Sequence, residues 1–372
     1  MSKRSRDTIW GIFAPITPIA PLAYVLTSPR GVAAAIKQMW SDRFSRYTLL
    51  ALAASSCIST ALAPNKLVGF GTSIVLILFL LIVWYGAWGI REPIRFLSAL
   101  TLGAGFLGLV VVVSRALEVE LIVGDFPILA NFAWPSPRGN VLGMRSNGLA
   151  ALMEPAVAGG LGLALLQKKN RALYLLASLF ALAGIAVTLS RGSLLGIFVS
   201  VALLLVFLAR SPKRLLIAAL AIAVCVAVLL YALPGFGNRV LSIVDLERNI
   251  ERVQIWTGTW HMFLDHALFG IGPGNFGEVY PDYRLPDEEL NASSPHNLFL
   301  YVLTGWGIVG FAAFFVHLAR FAIRPLMRSP SRFQVLAFVM MIPFWVHVLV
   351  DDIFMLHVPL IMGCISNRNI QE

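Results

Sequence analysis

The sequence predicts an all-α bundle of transmembrane helices with about 10–12 spans, and three observations predict it. Hydrophobic residues make up 58% of the 372-residue chain, charged residues only 13%, and the mean hydropathy is +0.80. A soluble domain of that length could not hide so much apolar surface from water. Apolar runs of about 18–23 residues recur along the chain, and about 20 such residues cross the hydrocarbon of a bilayer as a helix. The basic residues, finally, are concentrated in alternate connectors between those runs.

The first stretch, residues 9–27, is broken by Pro15, Pro18 and Pro21, and no cleavable signal pattern is expected in it. A span there would place two basic segments, the N-terminus and residues 28–46, on opposite sides of the membrane. A re-entrant hairpin is therefore expected, the alternative being an external N-terminus. Ten spans are then expected at 47–63, 68–90, 96–117, 147–166, 172–189, 192–209, 214–233, 296–319, 333–350 and 353–367, within one integral membrane domain, 1–372. The connectors 28–46, 91–95, 167–171, 210–214 and 320–332, with the two termini, hold 20 of the 29 Lys and Arg. The remaining 9 fall on or near the other side, as do 15 of the 19 acids. Positive charge inside puts the basic connectors in the cytoplasm. The net charge of +10 is thus a topology signal and gives no reason to expect nucleic acid. Cys57, Cys225 and Cys364 all lie in apolar runs without paired or metal-type spacing and read as core.

Two long external loops are expected, 117–146 and 234–295. The second is too long for a passive connector. Within it, residues 246–266 have helical spacing, with Ile250, Val253, Ile255, Trp256, Trp260, Phe263 and Leu264 on an apolar face. That pattern predicts an amphipathic helix lying along the outer interface, where tryptophan is favoured.

The strongest local constellation for chemistry is Ser293-Ser294-Pro295-His296-Asn297, ahead of an apolar run containing Gly307 and Gly310. Ser294 reads as an N-cap and Pro295 as the first helical residue. His296 would then sit in the first turn, where the helix dipole favours a neutral imidazole able to accept a proton from a sugar hydroxyl. Arg191 lies in the turn Leu189-Ser190-Arg191-Gly192-Ser193, Arg252 on the loop helix, and Arg145 just ahead of a span. Guanidinium groups grip phosphate oxygens in pairs and keep their charge when desolvated. The competing reading for each is a side chain snorkelling to the headgroups. Gly270-Ile-Gly272-Pro-Gly274 could form an anion nest or simply turn the chain. Glu154 stands inside an apolar span, lining a polar cavity or paired with an arginine. His347 and Asp351, with Asp352 beside them, share a helix face at spacing i, i+4. The cluster Asp287-Glu288-Glu289 reads as solvated loop, and no pattern of the metal-holding kind is seen, so no metal and no cofactor are expected.

Together, His296-Asn297 followed by Gly307-x-x-Gly310, Arg252-x-x-x-Trp256 leading into His266-Ala-Leu-Phe-Gly270, and Thr188-Leu-Ser190-Arg191-Gly192 resemble the O-antigen ligase and polymerase superfamily over about residues 140–360. The resemblance implies a GT-C-like membrane glycosyltransferase in the bacterial inner membrane, with its site facing the periplasm. It implies metal-independent, inverting transfer of a glycan from undecaprenyl diphosphate to an acceptor hydroxyl, with lipid A-core the expected acceptor. By the resemblance His296 would be the general base and Arg191 and Arg252 the diphosphate ligands, with Arg145 assisting; Asn297, Glu154, His347 and Asp351 are accessory candidates from their positions alone. Repeat-unit polymerisation and protein O-glycosylation are alternatives within the same chemistry. A transporter or flippase, drawing an anion to the external arginines, is the alternative of another class; it predicts inverted repeats.

Overall fold

The computed structural model describes residues 3–17, 19–123, 126–130, 140–208, 250–286, 292–327 and 329–371. The expected span 214–233, the connector 210–214, Cys225 and the acidic cluster 287–289 lie outside them. The described chain is helical almost throughout: α1 Lys3–Phe13, α2 Ala20–Leu26, α3 Pro29–Ser41, α4 Arg43–Leu62, α5 Lys66–Trp88, α6 Pro93–Ala116, α7 Ser146–Leu166, α8 Arg171–Thr188, α9 Arg191–Leu208, α10 Ile250–Asp265, α11 Phe276–Val279, α12 Leu298–Ala322, α13 Arg332–His347 and α14 His357–Ile365. The loop after α6 carries a small antiparallel sheet, Leu121–Val123, Phe126–Ala130 and Asn140–Val141. Among the described residues, α5, α6, α7, α8 and α12 are long and apolar enough to cross a membrane. The chain is a multi-pass membrane protein. The expected span 353–367 contracts to the nine residues of α14, roughly 13 Å at 1.5 Å per residue, well short of a bilayer core.

The proline-broken start turns back on itself. Gly11 of α1 packs against Phe96 and Ala99 of α6, and Gly103 lies against the backbone of Ile12. By Tyr24 the chain has returned to the starting end, where the Tyr24 hydroxyl donates to Asp7 Oδ1 at 2.8 Å. The other oxygen of Asp7 accepts from the backbone N–H groups of Arg91 and Glu92, so the fold closes on the end that carries the basic connectors.

At the centre stands α7, with 83% of its most apolar window buried. Small residues make that possible, as expected where helices meet without a hydrophobic gradient between them. A Cβ on Gly160 would strike Ser178 of α8, and one on Gly159 would strike Thr101 of α6. Cys364 is buried as expected, but Cys57 is exposed on the outward face of α4, because its apolar run presents only one side to the bundle.

Gly307 breaks α12 with φ 65°. The kink lets the chain after α10 dock on the helix: Ile308 N–H donates to Ala267 O at 2.8 Å, and Ile271 N–H to Thr304 O at 2.9 Å. Carbonyls freed at Gly305 and Trp306 accept from Ser59 and Ser55 of α4, at 2.6 and 2.8 Å. A backbone group left unsatisfied in hydrocarbon would cost several kcal/mol. The glycine run 270–274 is the turn that makes this contact, with Gly270, Gly272 and Gly274 all at positive φ.

The loop helix α10 differs from the one-face expectation. Ile255 and Met262 turn inward, onto a small core with Ile271, Phe276 and Tyr280, and Phe263 is buried as well. Ile250, Val253, Trp260 and Leu264 stay exposed. Two apolar stripes are present, one for the protein and one facing out.

Candidate active site

The site is built at the end of the bundle opposite the basic connectors, around three short backbone segments. Helix α12 begins at Leu298, and its cap is Asn297, whose side chain accepts from Leu300 N–H at 3.0 Å. The expected Ser294 cap with a helical Pro295 is therefore corrected by three residues. A side-chain oxygen on residue 297 meets the orphan N–H groups at the right distance, and Ser294 lies too far upstream. His296 falls outside the helix at φ 48°, a left-handed conformation uncommon for a residue with a side chain. It is held there by its neighbours. Trp256 of α10 donates to Pro295 O at 2.9 Å, Leu298 N–H donates to Val348 O and Asp351 O, and Asn297 Nδ2 donates to Leu349 O at 2.8 Å.

This stitching brings His296 to the acids that follow α13. Its Nδ1 lies 3.9 Å from an oxygen of Asp351 and 3.9 Å from one of Asp352. Those distances are ion-pair contacts, too long for direct hydrogen bonds. Asp351 raises the imidazole above its ordinary value; burial opposes it, and the Asp352 charge adds to the rise. The dipole argument for a neutral imidazole is thus overturned, because His296 is outside the helix and beside two carboxylates. Burial pulls Asp351 upward, but His296, His347 and the Asn147 amide hold it low. Asp352 is pushed up by burial and, further, by the charge of Asp351.

Behind this rim lies a cavity of about 120 Å³ lined by Asn147, Arg191, Gly192, Arg252, His347, Val350 and Asp351. Two arginines 61 positions apart in sequence thus share one polar pocket, Arg191 from the first residue of α9 and Arg252 from the loop helix. Arg145 is exposed just before α7 and is not among the lining residues. Asn147 takes the place nearer the acids, its amide donating to Asp351 Oδ2 at 2.5 Å.

Glu154 is fully buried, and it pairs with a histidine where an arginine was one expectation. His347 Nδ1 lies 2.6 Å from Glu154 Oε1, and Ser193 donates to the same oxygen at 2.6 Å. His347 ends α13, so Asp351 lies beyond the helix. A turn still leaves His347 Nε2 4.0 Å from Asp351 Oδ2. Ser190 and Ser193 were not singled out by the sequence reading. Their spacing of three places both hydroxyls on the His347 side of the Ser-Arg-Gly turn, at 3.3 and 3.1 Å from its ring nitrogens. A serine pair flanking an arginine at a helix start is a signal that could have found them.

Two further features adjoin the rim. His296, Asp351 and Asp352 offer one ligand atom each within 4.8 Å of one another, a donor set of the kind a divalent cation accepts. An apolar groove of about 340 Å³ opens between α5 and α12, lined by Val68, Gly71, Thr72, Val75, Leu76, Tyr301, Trp306 and Phe354. Phe354 is two residues from Asp352, so the groove runs up to the acidic rim.

Residues 176–315 match the family model described as O-antigen ligase. Over that stretch the chain is similar to the O-antigen ligase family. The stretch contains Arg191, Arg252 and His296, so the superfamily resemblance read from those motifs holds where the motifs lie. The O-antigen ligase match ends before α13 and begins after α7, so Asn147, Glu154, His347 and Asp351 are supplied from outside it. The teichuronic acid biosynthesis protein TuaE of Bacillus subtilis (strain 168) is 31% identical over 150 residues, which is 37% of this chain and 30% of that relative. The match thus spans less than a third of the length of this curated relative.

Proposed function

We propose that the chain is a glycosyltransferase of the O-antigen ligase type, moving a glycan from undecaprenyl diphosphate to an acceptor hydroxyl on the periplasmic face of the inner membrane. The observation that carries this reading is the single cavity that gathers Arg191 and Arg252 and shares Asp351 with His296. In the proposed step His296 takes the proton of the acceptor hydroxyl, and that oxygen attacks the anomeric carbon from the face opposite the diphosphate. The glycosyl carbon–oxygen bond to the diphosphate breaks, and the leaving group departs as an anion into the arginine cavity. Diphosphate is already a good leaving group, so positioning and charge stabilisation carry most of the work. Asp351 stabilises the imidazolium that forms, as a carboxylate does behind a catalytic histidine. The groove beside Phe354 has the apolar lining to take a prenyl or acyl chain of a lipid-linked substrate.

Lipid A-core is the acceptor we favour. The relative's assignment to teichuronic acid biosynthesis supports, as a second reading, a growing glycan as acceptor. The reaction is proposed to be metal-independent, with His296, Asp351 and Asp352 serving proton transfer. The test is transfer in vitro from an undecaprenyl-diphosphate glycan, with and without EDTA, for the wild type and His296→Ala. Transfer that survives EDTA and vanishes in the folded variant supports the reading. Loss in EDTA with rescue by Mg²⁺ or Mn²⁺ would turn the three-residue cluster into a metal site and remove His296 as base.

A further inference from the structure

The cavity wall holds a histidine that the step above does not use. His347 is 1% exposed, and its ring is fixed on one edge by Glu154, with Nδ1 2.6 Å from Oε1. His347 also lines the arginine cavity, and its Nε2 edge is the one nearer the lining residue Asp351. There Nε2 has Ser190 Oγ at 3.3 Å and Asp351 Oδ2 at 4.0 Å, both longer than a good hydrogen bond. The backbone makes room for the ring, because a Cβ on Gly192 would overlap His347 Cδ2. Behind it, Glu154 is fully buried, and its second oxygen has no hydrogen-bond partner among the described residues. A buried carboxylate so poorly satisfied is a poor choice for stability alone, since apolar residues of similar volume commonly do as well or better.

Resting on the diphosphate reading of the cavity, we propose that His347 is a third ligand of the donor's diphosphate, beside Arg191 and Arg252, with Glu154 as its positioning residue. Glu154 takes Nδ1–H, so the ring presents its Nε2 edge to the cavity. When an anion enters, Nε2 takes up a proton from solvent, its N–H donates to a phosphate oxygen, and the carboxylate behind balances the charge of the imidazolium. The groups facing His347 from the surrounding elements are Glu154 on α7, Ser190, Arg191 and Ser193 at the start of α9, Arg252 on α10, and Asp351 after α13. Asp351 is the like-charged neighbour of the incoming phosphate. The Asn147 amide donates to it and offsets part of that charge. The arrangement separates two duties: His296 meets the acceptor at the rim, and His347 meets the leaving group inside.

The test uses the full-length protein in detergent with EDTA present, and inorganic pyrophosphate as the probe, titrated calorimetrically. The variants are Arg191→Ala, His347→Gln and Glu154→Gln, each checked by size exclusion and thermal melting. Losing one charge-assisted hydrogen bond is expected to weaken binding about tenfold or more in Arg191→Ala and in His347→Gln. Glu154→Gln, which keeps the shape and removes the charge, should weaken it roughly threefold to tenfold. In transfer assays His347→Gln should raise KM for the donor and leave KM for the acceptor unchanged, a split that a purely structural role would not produce. If Arg191→Ala weakens pyrophosphate binding and His347→Gln does not, the His347 assignment is wrong and the arginine site stands. If the wild type fails to bind, or Arg191→Ala binds equally well, the diphosphate reading itself falls and the third ligand with it. Should His347→Gln not fold, Glu154→Gln decides, and wild-type affinity in that variant overturns the proposal.

Discussion

Asp351 stands between two histidines in contrasting surroundings. His296 faces one of its oxygens at 3.9 Å from a rim where its side chain is 45% exposed. His347 faces the other oxygen at 4.0 Å from a wall where its side chain is 1% exposed. The rim histidine sits on an irregular strap, beside two carboxylates, open to an arriving hydroxyl. The wall histidine ends a helix, is locked to a buried glutamate, and looks onto arginines. Residue type alone gives them equal standing as acid–base groups. Position separates them: one stands half-exposed at the rim, the other is buried in the cavity wall.

The largest effect that would test this contrast comes from His296→Ala. Removing the proposed general base is expected to lower kcat by about 10²–10⁴-fold, with the donor KM little changed. A folded His296→Ala protein with wild-type turnover would pass the base role to the wall. Arg252→Ala comes next. It should raise the donor KM by about 10–100-fold, since a charge-assisted contact to phosphate is lost. If only the acceptor KM moved, the arginine cavity would belong to the acceptor.

Asp351→Asn reads the coupling between the two sides through pH. In the wild type, Asp351 raises His296 above the ordinary imidazole value of about 6.5. The neutral base therefore accumulates only as pH climbs through that raised value, and kcat/KM should fall off on the acid side. Without the carboxylate the acid limb should move to lower pH, while the plateau drops about tenfold because the imidazolium has lost a partner. An unmoved limb in the pH profile would mean that another group titrates. The smallest effect is expected of Arg145→Ala, within about threefold in either kinetic constant, as suits an exposed charge at the edge. A loss as large as that of Arg252→Ala in the same assay would extend the diphosphate site beyond the cavity.

Much of the bundle was legible because hydrophobic length and charge asymmetry are local properties. The boundaries of α5, α6, α7 and α8 fall within a few residues of the apolar runs. The Pro-broken start was legible too, since proline limits a helix wherever it stands. The cap of α12 was misread because Ser294, Pro295 and Asn297 are all good start signals, and only tertiary contacts choose among them. Those contacts are the stitches from Asn297 and Leu298 to residues 348–351.

By itself the sequence determined the membrane class and the end of the bundle that gathers the acids, and it pointed to Arg191, Arg252 and His296 as motif residues. Each follows from composition, or from residues that are neighbours along the chain. Only the tertiary structure decided that Glu154 partners His347 across 193 positions, that Asp351 is shared between two histidines, and that Arg145 stands apart from the other arginines. Helix periodicity fixes which residues share a face of one helix. It says nothing of which helix that face will meet, or at what depth, and those are set by close packing around residues such as Gly192 and Gly307.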